Sequence, residues 1–301
     1  MARLAFAGIG NMGWPMAANL IKAGHDVTVT DISPERVARF VSEVGGPIAP
    51  SAAASPAEAA KGVEAFLCIL PTSKEVAIVA DAVLPALPEG ALFIDMTSGN
   101  PTRTREIAAR LAARGIRMVD CPVSGGVPRA KTGELAIMAG GAKADLDAAE
   151  PLLRAMGTSI HRCGETGAGQ AMKALNNLVS AGGFLIGIEA LLIGQKLGLE
   201  PGLMVDVLNA STGMNNSTQK KFRQFVLSRR FDSGFGLDLM VKDLSIAIEV
   251  GKEAGVPTPL SALTRELWAA AATHLGPGED HTAVAKLSER MANQTLTGGN
   301  T

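Results

Sequence analysis

A single lysine near the start of a long apolar stretch is the first sign of chemistry in this sequence. The segment GAGQAMKALNNLVSAGGFLIGIEALLIGQKLG, residues 167–198, has helical character and holds no charged residue between Lys173 and Glu189. A buried ammonium is unfavourable unless it is paired or its proton is used. Asn177 follows at i+4 on the same helical face, and Asn176, at i+3, is a second neighbour. These residue types and this spacing predict a lysine–asparagine pair that takes part in proton transfer.

Two effects disfavour the charged form of Lys173. The glycines of GETGAG begin the helix, so the lysine lies in its opening turns, where the positive end of the helix dipole disfavours a cation. Burial disfavours the ammonium as well. Both effects predict a lowered pKa for Lys173, which suits a general acid–base group near neutral pH. The alternative is structural, a snorkelling lysine whose stem covers an apolar face.

A glycine-rich turn near the N-terminus has the pattern of a dinucleotide site. In AFAGIGNMGWPMAANL, Gly8, Gly10 and Gly13 form a GxGxxG that follows a predicted strand and opens a predicted helix. The first glycine permits a tight turn, the second lets a pyrophosphate approach the backbone, and the third lets helix and strand pack closely. The predicted cofactor contacts in this turn are Gly8, Ile9, Gly10, Asn11 and Met12.

The next acidic residue bears on the choice of dinucleotide. Asp31 ends the second predicted strand, 18 residues beyond Gly13, where a carboxylate can accept hydrogen bonds from the ribose hydroxyls and repel a 2′-phosphate. This predicts NAD as the cofactor, with NADP less favoured. Two features leave the alternative open: Asp31 could cap the helix that begins in SPER, and Arg36 could accept a phosphate.

Two further loops follow predicted strands and should line the nicotinamide half of the site. They are LPTS, residues 70–73, and DMTSGNP, residues 95–101. Ligands of open α/β sheets bind at the carboxyl ends of the strands. Ordinary turns whose Ser and Thr side chains cap the next helix would have the same sequence. The predicted cofactor contacts in these loops are Leu70, Pro71, Thr72, Thr97 and Ser98.

A Ser-Gly-Gly turn is the predicted anchor for a substrate carboxylate. Ser124, Gly125 and Gly126 present a hydroxyl and bare backbone N–H groups in VDCPVSGGVPRAKTGELAIMAGG. Taken alone, the same residues could be only a turn. Arg129 lies just beyond, either to meet a second anionic group or as a solvated surface arginine.

The elements that must position these residues divide the chain in two. Short apolar runs of strand length alternate with helical segments up to TSIHRCG, which predicts a parallel sheet covered on both faces. Helical periodicity then dominates to about Asn293, including a single helix in NSTQKKFRQFVLS. We therefore predict a Rossmann-type α/β domain over residues 1–164 and an all-helical domain over residues 165–301, with residues 295–301 as a frayed tail.

Four segments, in order, resemble the β-hydroxyacid dehydrogenase family over nearly the whole chain. They are GIGNMGWPMAANLIKAGHDVTVTD, DCPVSGGVPRAKTGELAIMAGG, GETGAGQAMKALNN and FDSGFGLDLMVKDL. The resemblance implies a Rossmann domain, a long interdomain helix, and a helical domain that forms homodimers or homotetramers. It also implies that Lys173 is the catalytic lysine, that Ser124 and the glycines after it hold the substrate carboxylate, and that Asn177 binds substrate. Lys242 would reach the cofactor, the alternative being a surface salt bridge with Asp243.

The resemblance implies hydride transfer between the nicotinamide and a small 3-hydroxy acid or semialdehyde acid, with Lys173 exchanging the proton. Sister groups with imine reductase activity lack this lysine, so its presence favours alcohol and aldehyde chemistry. The polar run STGMNNSTQKKF, residues 211–222, departs from the 3-hydroxyisobutyrate enzymes. The acid itself and the physiological direction stay open. A non-catalytic protein that senses NAD(H) is the alternative function.

Composition limits the other partners. With a net charge of −1, the chain lacks the basic footprint of nucleic-acid binding. Three scattered cysteines and four histidines without ligand spacing predict no metal site and a reducing, cytoplasmic location. The N-terminus does not have the pattern of a signal peptide. The apolar stretch near residue 180 is interrupted by SAGG and Glu189, so we predict a buried helix and no membrane partner.

Overall fold

The computed structural model describes residues 1–298, which divide into two compact units: the first is Met1–Lys173, and the second begins at Ala174. The division falls inside the long helix Ala168–Lys196. The sequence-based boundary between residues 164 and 165 lies at the end of the last strand, just before this helix.

The first unit is built on one sheet flanked by helices. Its strands are β1 (Arg3–Ala7), β2 (Asp26–Thr30), β3 (Ser51–Ala52), β4 (Ala65–Cys68), β5 (Leu92–Asp95), β6 (Arg117–Asp120), β7 (Val123–Ser124), β8 (Leu135–Gly140) and β9 (Gly157–Gly164). Its helices are α1 (Gly13–Lys22), α2 (Pro34–Glu43), α3 (Pro56–Ala59), α4 (Ser73–Val83), α5 (Pro101–Ala112), α6 (Gly126–Thr132) and α7 (Lys143–Arg154). The strand order β3-β2-β1-β4-β5-β6-β8-β7, with β9 beside β8, confirms the predicted Rossmann-type fold.

The sheet is parallel through its first six strands, as predicted, and antiparallel pairings are added around β8. Strands β1 to β6 pair in parallel, but β8 runs antiparallel to both β6 and β7. The reason lies in the Ser-Gly-Gly turn, because Gly125 (φ +131°) and Gly126 (φ +68°) adopt backbone conformations that side-chain-bearing residues rarely do. They reverse the chain into the short α6, so β8 returns against its neighbours.

Both faces of this sheet are buried, as predicted. Successive residues of β1 belong to different cores: Leu4 and Phe6 pack on one face, and Ala5 and Ala7 on the other. Every residue of β4 and β5 is buried. Such continuous burial is typical of parallel strands covered by helices on both sides.

The second unit is helical. The long helix is α8 (Ala168–Lys196), and α9 (Pro201–Asn209), α10 (Asn216–Lys220), α11 (Leu237–Glu253), α12 (Pro259–Leu275) and α13 (Ala285–Met291) follow it. Phe184 of α8 lies at the centre of the core, with its ring centroid 5.3 Å from that of Phe222 and 5.9 Å from that of Trp268. Short 3-10 structure at His281–Val284 precedes α13.

The single helix predicted for NSTQKKFRQFVLS is wrong. An Asn215–Thr218 capping box starts α10, which ends at Lys220, and Phe222–Leu227 form a π-helical turn. The backbone of Lys221 leaves the helical region, with φ −128° and ψ −44°. The apolar spacing did not reveal this break, because the buried Phe222 and Val226 lie four residues apart, as they would on one face of an α-helix.

The described part of the C-terminal tail is anchored, not frayed as predicted. The side chain of Leu296 is fully buried, and its N–H donates to Glu289 at 2.9 Å. Thr297 N–H donates to the side chain of Gln195 at 3.1 Å. Residues 299–301 of the predicted tail lie outside the described residues.

Helix α8 is apolar enough to raise the question of a membrane span. Its most apolar window has a mean hydropathy of 1.7, and half of that window is buried within the protein. Many of its exposed apolar side chains lie three, four or seven residues apart, so they form a stripe along one face. This α8 stripe consists of Met172, Leu175, Val179, Ile186 and Ile193, and it is continued by Leu197, the first residue after the helix.

Candidate active site

The glycine turn between β1 and α1 has the shape expected of a dinucleotide cradle. A Cβ on Gly13 would lie 1.8 Å from the Gly8 carbonyl oxygen, and one on Gly8 would lie 2.3 Å from that of Ile69. A Cβ on Gly10 would have no described atom within 4 Å. Two glycines are therefore required by packing, whereas the third leaves open space beside the backbone. Among residues 1–298, no side chain caps α1 at Met12, and the Trp14 N–H donates to the Gly10 carbonyl at 2.9 Å. A helix start without a side-chain cap can bind an anion.

Asp31 directly follows β2 and connects the end of this strand to the glycine turn. Its Oδ2 accepts from Ile9 N–H at 2.9 Å, and its Oδ1 accepts from Ser33 N–H at 3.0 Å. The alternative role for Asp31 was to cap α2. In the structure Ser33 is the N-cap of α2, and its hydroxyl accepts from Arg36 N–H. The Arg36 guanidinium pairs with Asp31 Oδ1 at 3.1 Å. The carboxylate thus stands beside the predicted pyrophosphate turn.

The two loops predicted to line the nicotinamide are neighbours in the structure. Leu70 N–H donates to Thr97 Oγ1 at 3.0 Å, and Asn100 N–H donates to Ser73 Oγ at 2.7 Å. Thr72 also has the ordinary role that the sequence left open, because its hydroxyl caps α4. Thr72 therefore has a structural role, capping α4, whether or not it contacts the cofactor.

The Ser-Gly-Gly turn is accessible at the end of β7. Ser124 and Gly126 are half-buried and Gly125 is exposed. A Cβ on Gly125 would lie 2.7 Å from the Arg129 side chain, so the aliphatic stem of Arg129 lies beside this glycine. The exposed guanidinium of Arg129 is therefore held on the same short helix as the turn.

The beginning of α8 is held by buried residues that the sequence analysis missed. Asp120, at the end of β6, accepts from Gly167 N–H at 2.7 Å and from Gln170 N–H at 2.8 Å. Gln170 in turn contacts Asp95, at the end of β5. The sequence did contain a sign of these residues. FID and MVD end in Asp95 and Asp120, the last residues of two strands that are neighbours in the sheet.

Lys173 and Asn177 are both buried on α8, with relative exposures of 7% and 6%. Asn177 Nδ2 donates to Asp243 Oδ2 at 2.5 Å, and Asn176 Nδ2 donates to Asn177 Oδ1 at 3.1 Å. Burial of this kind is unlike a lysine that snorkels to the surface. The amide of Asn177 is thus oriented by α11.

Lys242 and Asp243 do not form the surface salt bridge that was the alternative for this pair. Lys242 Nζ lies 3.3 Å from Asp243 Oδ1, but the carboxylate is 2% exposed and the lysine side chain 22%. Because Asp243 also holds Asn177, this ion pair belongs to the predicted substrate side of α8.

A second ammonium lies one helical turn beyond Asn177. Lys221 Nζ donates to Ser180 Oγ at 3.3 Å and stands 5.9 Å from the centroid of the Phe184 ring. Burial, and then the positive charge of Lys221, lower the pKa of His281 to about 3. That imidazole is neutral at physiological pH, so His281 is unsuited to donate a proton there.

Among residues 1–298, no three His, Cys, Asp or Glu side chains are grouped so that they could hold a metal ion. The side chains predicted for the site are instead amines, amides and hydroxyls. These groups suit hydrogen bonding and proton transfer to an organic substrate.

Family models match almost the whole chain. Residues 3–164 match the model described as the NAD binding domain of 6-phosphogluconate dehydrogenase. Residues 167–288 match the model described as NAD-binding of NADP-dependent 3-hydroxyisobutyrate dehydrogenase.

Individual relatives and solved structures give the same picture. The 2-(hydroxymethyl)glutarate dehydrogenase of Eubacterium barkeri is 35% identical, over 99% of this chain and 98% of its own. The 3-hydroxyisobutyrate dehydrogenase of Pseudomonas aeruginosa is 36% identical, over 95% and 98%. The 3-sulfolactaldehyde reductase of Escherichia coli is 33% identical, over 98% of both chains. A Mycobacterium tuberculosis 3-hydroxyisobutyrate dehydrogenase structure with L-serine superposes with a TM-score of 0.88 at 33% identity, covering 96% of this chain and 99% of the other.

Proposed function

The chain belongs to the β-hydroxyacid dehydrogenase family, and from this membership we propose that it interconverts a small 3-hydroxy acid and the matching semialdehyde acid, using NAD. The observation that carries the proposal is the buried Lys173–Asn177 pair on α8, a helix that begins at the strand ends of an NAD-binding domain. The alternative, a non-catalytic NAD(H) sensor, gains no support from relatives that are named as dehydrogenases and reductases.

The open space at Gly10 and the uncapped start of α1 fit a dinucleotide pyrophosphate. When bound, the cofactor would accept a hydride as NAD⁺ during oxidation or supply one as NADH during reduction. Lys173 removes the hydroxyl proton during oxidation, and during reduction it donates a proton to the forming alkoxide and stabilises its charge. Asn177, oriented by Asp243, holds the substrate hydroxyl or the lysine, while Ser124 and the N–H groups of Gly125 and Gly126 hold the carboxylate. Lys242 is proposed to reach the cofactor from α11.

The test is NADH absorbance at 340 nm with a panel of three- to six-carbon semialdehyde acids and hydroxy acids, including 2-(hydroxymethyl)glutarate. Turnover of at least one of them is expected. If the protein binds NADH normally but turns over none of these compounds, the enzymatic function is wrong and the NAD(H) sensor is favoured. The same panel, run in both directions, measures which direction is favoured.

Within this substrate class, we propose that compounds with a second acid group are preferred. Lys221 places an ammonium beside Ser180, and Ser180 follows Asn177 by one turn of α8. An anion reaching beyond the Asn177 amide would meet this charge. The relative from Eubacterium barkeri, whose named substrate has two carboxyl groups, supports the same preference.

Lys221→Met should therefore lower kcat/KM for a dicarboxylic substrate such as 2-(hydroxymethyl)glutarate by about 10-fold or more, because a hydrogen bond to a charged group is lost. Monocarboxylic substrates should change by less than about 3-fold on the same reasoning. Arg129→Met is the matched control, since Arg129 is the other cation that the sequence offers for a second acid group. If Arg129→Met alone weakens the dicarboxylic substrate, the assignment to Lys221 is wrong.

Cofactor choice is tested by Asp31→Ala. Loss of the carboxylate removes the repulsion of a 2′-phosphate and removes the ion-pair partner of Arg36, whose guanidinium could then meet that phosphate. The ratio of kcat/KM for NADP to that for NAD should rise by about 10-fold or more. Asp26→Ala, at the other end of the same strand, is the control. An unchanged ratio in Asp31→Ala would show that Asp31 only orders the glycine turn.

We further propose that the protein is a cytoplasmic homodimer or homotetramer that binds neither nucleic acid nor membranes. The α8 stripe supports a second copy of the chain as its covering, because an exposed apolar stripe of this length marks an interface. Free thiols at Cys68, Cys121 and Cys163 support a reducing location. Light scattering in solution measures the assembly directly.

A further inference from the structure

Three buried polar side chains connect α8 to the ends of β5 and β6. Asp95, Asp120 and Gln170 have relative exposures of 1%, 0% and 1%. All three lie in the first compact unit, together with Lys173. Buried polar groups are costly unless they are fully hydrogen-bonded, so this cluster requires a structural or functional reason.

Asp120 acts as a cap for α8 from another element. Its two carboxylate oxygens accept from the N–H groups of Gly167 and Gln170, and the first turn of α8 contains no acidic residue of its own. A Cβ on Gly169 would lie 2.3 Å from the Met138 carbonyl oxygen and 2.7 Å from that of Asp120. The first turn of α8 therefore packs closely against the backbone of β6 and β8, and the Asp120 carboxylate lies at the positive end of the helix dipole.

The side chain of Gln170 extends this connection to the nicotinamide loops. Its Oε1 accepts from Gly99 N–H at 2.7 Å, and its Nε2 donates to Asp95 Oδ2 at 3.3 Å. The other oxygen of Asp95 accepts from Thr97 N–H at 2.9 Å. Thr97 Oγ1 accepts from Leu70 N–H, so one chain of hydrogen bonds runs from α8 to both loops.

Gln170 precedes Lys173 by three residues, so both side chains leave the same face of the helix. The contacts of Gln170 fix the rotation of this part of α8 about its axis and its distance from the strand ends. The same contacts therefore fix the position of Lys173. We propose that Gln170 is a positioning residue, which holds the Lys173 amine in register with the loops that line the nicotinamide. The inference rests on the proposed function, because it assumes that Lys173 transfers the proton.

The chemistry of an amide is needed at position 170. Its acceptor end faces a backbone N–H, and its donor end faces a carboxylate. Burial raises the pKa of Asp95 to about 7 and raises that of Asp120 above its usual range. The other titratable groups around Asp95 are Cys68 on β4, whose thiol lies 3.7 Å away, and Cys121 after β6. A glutamate at position 170 could donate to Asp95 only while protonated.

The experiment compares Gln170→Met and Gln170→Glu with wild type over pH 5.5–9, measuring kcat, KM and the NADH dissociation constant. Gln170→Met keeps the volume but loses the amide, and we expect kcat to fall by about 10- to 100-fold with NADH affinity changed less than about 3-fold. Gln170→Glu should approach wild-type kcat at low pH and lose it as pH rises. The ratio of kcat for Gln170→Met to kcat for wild type should not change with pH, because methionine has no group that titrates. Gln224→Met, at an exposed glutamine, is the control.

A kcat for Gln170→Met within about 3-fold of wild type would overturn the positioning role. So would a constant ratio between Gln170→Glu and wild type across the pH range. If Gln170→Glu does not fold, the kcat and NADH affinity of Gln170→Met decide the question alone. Wild-type protein without turnover on any substrate would instead overturn the proposed function, and this inference with it.

Discussion

Lys173→Met is expected to lower kcat by about 10²- to 10⁴-fold, the range that a positioned general acid–base group contributes. The variant removes the only proton donor assigned to the substrate oxygen. Methionine keeps an unbranched stem at a position that is 7% exposed, so the fold should persist. NADH affinity should change little, since the glycine turn and Asp31 are untouched. Turnover is followed at 340 nm and NADH binding by fluorescence titration.

Lys196→Met is the matched control for this prediction. It removes a lysine from the same helix, but from an exposed position whose ammonium donates to the Ala292 carbonyl at 2.8 Å. Its kcat should stay within about 3-fold of wild type. A Lys173→Met variant that keeps more than a tenth of the wild-type rate would remove Lys173 from the mechanism.

The second large effect is a contrast between two glycines of the same turn. Gly13→Ala should lower the melting temperature by several degrees, because a methyl group 1.8 Å from the Gly8 carbonyl forces the backbone apart and costs about 1–3 kcal/mol or more. Gly10→Ala should leave the melting temperature within about 1 °C, since its methyl meets no described atom within 4 Å.

NADH affinity separates the two glycines further. The methyl of Gly10→Ala occupies the space through which a pyrophosphate reaches the backbone, so the dissociation constant should rise by about 10-fold or more. Thermal unfolding without ligand and an NADH titration on the same samples measure both effects. Unchanged NADH affinity in Gly10→Ala would place the pyrophosphate somewhere other than this turn.

Several features of the fold were predictable because they depend on residues close together in the chain. The turn at Gly8, Gly10 and Gly13 requires little more than a strand before it and a helix after it. The burial of β4 and β5 on both faces follows from their unbroken apolar composition. The long α8, with Lys173 and Asn177 one turn apart, follows from helical periodicity. The resemblance to the family rests on segments of the same local kind.

Other features depend on pairs of residues far apart in sequence. The ion pair of Lys242 with Asp243 is local, but its burial and the contact of Asp243 with Asn177 required the packing of α11 on α8. The antiparallel pairing of β8 with β6 places Asp120 opposite Gly140, and only the folded sheet brings these two residues together. The break at Lys221 carries its ammonium to Ser180, 41 residues earlier in the chain.

The amino-acid sequence by itself determined which residues could carry out the chemistry. The type and spacing of its amines, glycines and carboxylates indicate which proton transfers and which ligand contacts each of them can make. Tertiary structure alone decided what holds them in place. Gln170 meets Asp95 across 75 residues and Asp120 across 50, and neither spacing has any periodic signature. Such contacts exist only after parallel strands have brought their carboxyl ends to one edge of the sheet, since that edge is where distant segments converge.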